Sequence, residues 1–159
     1  MADITALGWD PHTLGELDHQ QLKPPYIRLN SHTAGDLGDT VFSFDLRVAK
    51  PNKNFLTTQV LHSMEHLLLA GFRKYLGKKF ISVAPMGCQT GFYLILLNEG
   101  SADKVCHIYE SILNDILSAN NVPYASLDSC GQAIHHDLEG SQKLAQELLE
   151  QKENWRQVI

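Results

Sequence analysis

An α+β sandwich, with helices packed on one face of a largely antiparallel sheet of about four strands, is predicted by three observations. Short apolar runs come in pairs joined by Gly- and Asp-rich turns, as hairpins do. Three longer stretches carry apolar residues at helical spacing. The order of the elements, β-β-α-β-β-α followed by a last helical stretch, lacks the strict βα alternation of a parallel sheet. At 159 residues and 43% hydrophobic composition the chain supports one full core, so residues 1–159 are read as a single catalytic domain with 1–16 as an irregular N-terminal arm.

The first strand is read in "PPYIRLN", and "HTAGDLGD" supplies the turn that follows. In "TVFSFDLRVA", Phe42, Phe44, Leu46 and Val48 alternate with Ser43, Asp45 and Arg47, so one face is expected to be buried and the other to carry Asp45 and Arg47 into solvent. "PNKN" ends this strand. Residues from about Thr57 to Tyr75 read as helix, "FISVAP" and "GFYLILLN" as two strands about a Gly-bounded turn, and 102–119 as a second helix. "HDLEGSQKLAQELLEQ" is rich in helix formers and closes the pattern.

Thirteen basic against eighteen acidic residues give a net charge of −5 with no cluster of Lys and Arg, which argues against nucleic acid or an anionic membrane as partner. The N-terminus lacks a basic start followed by an apolar core, and no apolar window approaches the length of a membrane span. Three cysteines, an odd number, argue against a disulfide framework. A cytoplasmic protein with reduced thiols is expected. Cys106 falls on the inward face of the second helix, where a small cysteine needs no role beyond packing.

Chemistry concentrates in "LHSMEHLLLAGFRKYL". On a helical projection Val60, Leu61, Met64, Leu67, Leu68, Phe72 and Tyr75 share a broad side, while His62, Glu65, His66, Leu69 and Arg73 form a narrow stripe beside it. His62 and His66, four apart, have Cβ atoms about 5–6 Å from each other, within reach of one divalent ion, and Glu65 lies between them. Spacing leaves two readings open: a metal pair in the order H-x-x-E-H, or two ordinary histidines with a salt-bridging glutamate. A metal would need a third ligand. Cys88 in "APMGCQTGF" and Cys130 in "SLDSCGQAIHHDLEG" both lie outside periodic segments, whereas an inverted-motif peptidase would call instead on a downstream carboxylate such as Glu139 or Glu147.

The segments "LDH", "FDLR", "PNK", "LHSMEHLLLAGF", "PMGCQTGFYL", "CGQA" and "HDLEGSQKLA" occur in the order and nearly the spacing found in S-ribosylhomocysteine lyase. The chain thus resembles the LuxS family from about Leu17 to Trp155. The resemblance implies that His62, His66 and Cys130 hold one divalent metal per subunit, iron(II) natively and often zinc after purification. It implies that Cys88 and Glu65 are the acid/base groups, and that His19, Arg47 and the position of Ser82 belong to the substrate shell. The implied reaction cleaves the thioether of S-ribosylhomocysteine to homocysteine and 4,5-dihydroxy-2,3-pentanedione, the precursor of the quorum-sensing signal autoinducer-2, within the methionine cycle. The family is a homodimer with sites at the subunit interface.

Three departures touch the substrate shell. Ser82 replaces an acidic residue of the family's D-I-S-P-M-G-C, Leu14 stands where a serine is usual, and Val48-Ala49-Lys50 replaces F-x-Q. A lyase with a slower turnover or a shifted preference is expected from these changes, and a non-catalytic descendant is the competing reading.

Overall fold

The computed structural model describes residues 2–159 and contains one four-stranded antiparallel sheet with three α-helices. Strand β1 (Tyr26–Ala34) pairs with β2 (Thr40–Arg47), and β3 (Phe80–Pro85) with β4 (Gly91–Leu97). β2 and β4 pair at the centre, giving the order β1-β2-β4-β3. Helix α1 (Thr58–Leu76) connects the two hairpins, and α2 (Ala102–Leu117) and α3 (Leu138–Glu150) follow. The α+β prediction holds, and the first strand runs four residues beyond its expected end at Asn30, past a register shift between Leu29 and Ser31.

The period-2 pattern of β2 and β4 puts Phe44, Leu46, Phe92, Leu94 and Leu96 into the core, where they meet Met64, Leu68 and Phe72 of α1 and Ile112 and Leu113 of α2. Side chains of this size each contribute roughly 1.5–3 kcal/mol on burial. The helix starts follow from their caps: the side chains of Thr57, Ser101 and Asp137 each accept the third backbone N–H of the turn they open. Gly77, at φ 54°, ends α1 in the left-handed region.

The outer face of β2 differs from expectation. Asp45 and Arg47 are 1% and 5% exposed, not solvated. Residues before β1 cover them: Arg28 pairs with Asp45 at 2.7 Å and donates to the carbonyls of Thr13 and Gly15. Trp9 enters the core, its indole N–H donating to the Gly100 carbonyl. A period-2 pattern shows that Asp45 and Arg47 share a face; it carries no information about a distant segment folding over that face.

The β3–β4 turn is held open by glycine. A Cβ on Gly91 would run into the Leu46 carbonyl oxygen and come within 3.0 Å of the Arg47 Cα, both backbone. Gly91→Ala is therefore expected to destabilise the fold by about 1–3 kcal/mol, as overpacking does, read as a fall in Tm of roughly 2–4 °C per kcal/mol. An unchanged melting temperature would contradict this packing.

Candidate functional site

Helix α1 carries His62 and His66 on one face, and the segment 118–137 returns across that face to reach α3. The connection exceeds the roughly 12–15 residues beyond which loops without regular structure usually carry function. It is anchored at both ends. Gln142 of α3 donates to the carbonyls of Ile116 and Ala119, while the Asp137 backbone N–H donates to the Ser63 hydroxyl at 2.8 Å. Ser63 is fully buried, so it is a polar side chain held inside the helix packing with the loop as its partner.

The loop brings Cys130 onto the two histidines. Its Sγ lies 3.4 Å from His62 Nε2 and 3.8 Å from His66 Nε2. A further histidine joins them: His136 Nε2 is 3.6 Å from the same sulfur, and its ring stacks on His62 with centroids 4.1 Å apart. The ligand atoms of His62, His66, Cys130 and His136 all lie within 4.8 Å of one another. Glu65 sits alongside, Oε2 3.7 Å from His66 Nε2.

Two of these rings are set in one tautomer. His62 Nδ1 is 2.9 Å from the His135 carbonyl and His66 Nδ1 is 2.7 Å from the Pro123 carbonyl. A carbonyl oxygen only accepts, so each Nδ1 carries the proton and each Nε2 turns its lone pair toward Cys130. Burial, and after it the charges of neighbouring His62, His66 and His135, hold His136 below the usual imidazole range and keep it neutral. Imidazole and thiol donors without a carboxylate among the four suit a borderline transition ion such as iron(II) or zinc. The chemistry of the donor set fits the metal that the sequence implies. Glu139 and Glu147, the carboxylates a peptidase would use, are exposed on α3 and outside the group.

The cluster sits in a chain whose sequence matches the family model for S-ribosylhomocysteinase (LuxS) over residues 15–159. The chain belongs to the LuxS family. Among similar curated proteins, the S-ribosylhomocysteine lyase of Halobacillus halophilus is 44% identical over 90% of this chain and 93% of its own length. That of Dichelobacter nodosus is 43% identical over 90% and 92%. The Staphylococcus aureus protein of the same name is 39% identical over 90% and 91%. LuxS membership thus rests on the whole chain, and the cluster geometry agrees with it independently.

The other LuxS-implied residues lie elsewhere. Cys88 is exposed in the β3–β4 turn, where the next residue, Gln89, has a φ of 60°, strained for a residue with a side chain. With His19, Phe55 and Thr90 it lines a cavity of about 400 Å³ whose walls include none of the four clustered residues. His19 and Arg47 also line a second cavity, of about 400 Å³, with Arg28, Asp45 and Tyr93. Ser82 is half-buried on β3 opposite Ile95.

Cys88 Sγ is 2.9 Å from Thr90 Oγ1 and 3.6 Å from Arg47 Nη1, and Arg47 donates to Thr90 as well. Burial raises the thiol pKa, but the Thr90 hydrogen bonds and the Arg47 charge outweigh it and leave Cys88 below the ordinary thiol value. Cys106 shows the opposite case, pushed up to about 11 by burial alone against a weaker opposing pull from Arg156. Since the thiolate is the nucleophile, alkylation of Cys88 by iodoacetamide is expected to outpace that of Cys106 and to show its inflection below the ordinary thiol pKa. Arg47→Met should move the inflection up; no movement would remove Arg47 from the account.

His136 was legible only in part. It stands six residues after Cys130 in the quoted "CGQAIHHDLEG" block, yet nothing in a loop sequence says which of two adjacent histidines turns inward.

Proposed function

We propose that this chain is a metal-dependent S-ribosylhomocysteine lyase, releasing homocysteine and 4,5-dihydroxy-2,3-pentanedione. The observation that carries the reading is the convergence of His62, His66 and Cys130 beside Glu65, in a chain that matches the LuxS model over residues 15–159. His62, His66 and Cys130 hold the ion, iron(II) in the cell and zinc where it is displaced during purification. When bound, the ion supplies a positive charge that polarises a carbonyl of the opened ribose.

The remaining work is proton transfer. Cys88, kept toward thiolate by Arg47 and Thr90, removes a proton from a carbon next to the carbonyl and returns one to its neighbour. The carbonyl thereby moves along the chain without net oxidation or reduction. Glu65 carries protons between the oxygens that exchange roles. After two such shifts the sulfur is β to the carbonyl, and removal of the intervening proton expels homocysteine as its thiolate, which is then protonated. His19 and Arg47 flank the substrate at the Cys88 cavity, and Ser82 stands in its shell.

The Cys88 cavity and the His62 cluster have separate walls. A homodimer with its sites at the interface brings the cavity of one copy against the cluster of the other. Phe55, at 71% exposure on the cavity wall, is the kind of side chain such an interface covers. Free thiols throughout, with no disulfide, suit the cytoplasm, where the product serves autoinducer-2 synthesis and the methionine cycle.

Thiol release from S-ribosylhomocysteine by anaerobically purified, iron-loaded protein tests the reading. Steady appearance of free thiol is expected. A metal-replete protein that releases none would mean that Ser82 and Leu14 mark a non-catalytic descendant.

A further inference from the structure

We infer that His136 is a fourth protein ligand of the metal, so that the substrate-free site is a closed cage of three imidazoles and one thiolate. The inference rests on the metal-site reading of the His62 cluster and goes beyond its three ligands. With zinc–nitrogen distances of about 2.0–2.1 Å and zinc–sulfur of about 2.3 Å, a tetrahedral ion separates its sulfur from each nitrogen by about 3.6 Å. The three distances from Cys130 Sγ are 3.4 Å to His62, 3.8 Å to His66 and 3.6 Å to His136. His136 therefore meets the sulfur at the same edge length as the two helix histidines do. A ring that only stacked on His62 would have no reason to turn its Nε2 to that point.

The surrounding structure fixes the ring in this pose. His136 Nδ1 is 3.2 Å from Ser63 Oγ, and the same oxygen accepts the Asp137 N–H at 2.8 Å. A hydroxyl has two lone pairs, so Ser63 can accept from both donors and leave the His136 Nε2 lone pair free for the ion. Asp137 is at the same time the cap of α3. The start of that helix and the fourth ligand are thus placed by one buried serine of α1. The 3.2 Å contact is longer than the 2.9 and 2.7 Å contacts that hold His62 and His66 to backbone carbonyls. His136 is consequently the ligand most easily given up. A catalytic zinc-type site needs an open or expandable position, so substrate binding requires His136 to withdraw or the coordination number to rise to five.

Zinc-edge X-ray absorption of the substrate-free protein, loaded with zinc alone, tests this without reference to activity. Three imidazoles and one sulfur are expected, falling to two imidazoles and one sulfur in His136→Gln. Zinc affinity of the variant, measured by chelator competition, should fall more than the roughly 10–100-fold typical of losing an outer partner. A wild-type spectrum with two imidazoles and one sulfur would overturn the inference and leave the three-ligand reading standing. Failure of the wild type to bind zinc would overturn both. The wild-type spectrum is decisive even where His136→Gln fails to fold.

Discussion

Cys88→Ala is expected to abolish measurable thiol release, a loss of about 10²–10⁴-fold from removing a positioned acid/base group, with metal content unchanged. The reason lies in the separation of the two centres. Cys88 lines its own cavity with His19 and Thr90, while the ligand atoms belong to α1 and the loop that precedes α3. Removing the thiol takes away the base and leaves the His62 cluster intact. Metal analysis and thiol release on the same preparation check both halves. A variant that lost its metal would place Cys88 among the ligands, and one that kept its activity would move proton transfer to Glu65 alone. Thr90 and Arg47 remain in Cys88→Ala, so any residual rate measures what the rest of the site contributes.

Cys130→Ala should fail at the other centre. It removes the one donor that lies within 3.8 Å of all three imidazole nitrogens. Metal affinity should fall by more than 100-fold, beyond what loss of an outer partner costs, and thiol release should fall with occupancy. Excess metal should restore part of the activity, a response Cys88→Ala must lack. The loop itself is expected to loosen, since its other ties to α1 are single contacts: His66 to Pro123, His62 and Thr58 to His135, Ser63 to Asp137. Faster amide exchange across 123–136 would report that loosening. Metal retained at wild-type affinity in Cys130→Ala would instead favour a carboxylate ligand and the peptidase reading. That reading would then have to explain how Glu139 or Glu147, exposed on α3, reaches the cluster.

Local patterns were enough for much of this molecule. Alternation in "TVFSFDLR" placed β2, helical spacing from Val60 to Tyr75 placed α1, and the four-residue interval put His62 and His66 on one face, because these depend on neighbours along the chain. The same intervals could not distinguish a metal pair from two ordinary histidines. What resolved that in the sequence was resemblance across many separated blocks, and in the structure the arrival of Cys130.

Other features belong to the tertiary structure alone. Arg47 reads as a solvated strand residue until the segment before β1 covers it; it then becomes a buried cation 3.6 Å from the Cys88 sulfur. His136 reads as one of two loop histidines until Ser63, far away in sequence and on another helix, turns it toward the sulfur. Cys88 and Cys130 look equivalent as loop thiols, and only the fold sends one to an open cavity and the other to the imidazoles. The sequence by itself determined the elements and the residue types available for chemistry. Which of those residues meet was decided by packing between segments far apart in the chain. Burial, charge and ligand geometry at each of them depend on contacts that no local spacing encodes.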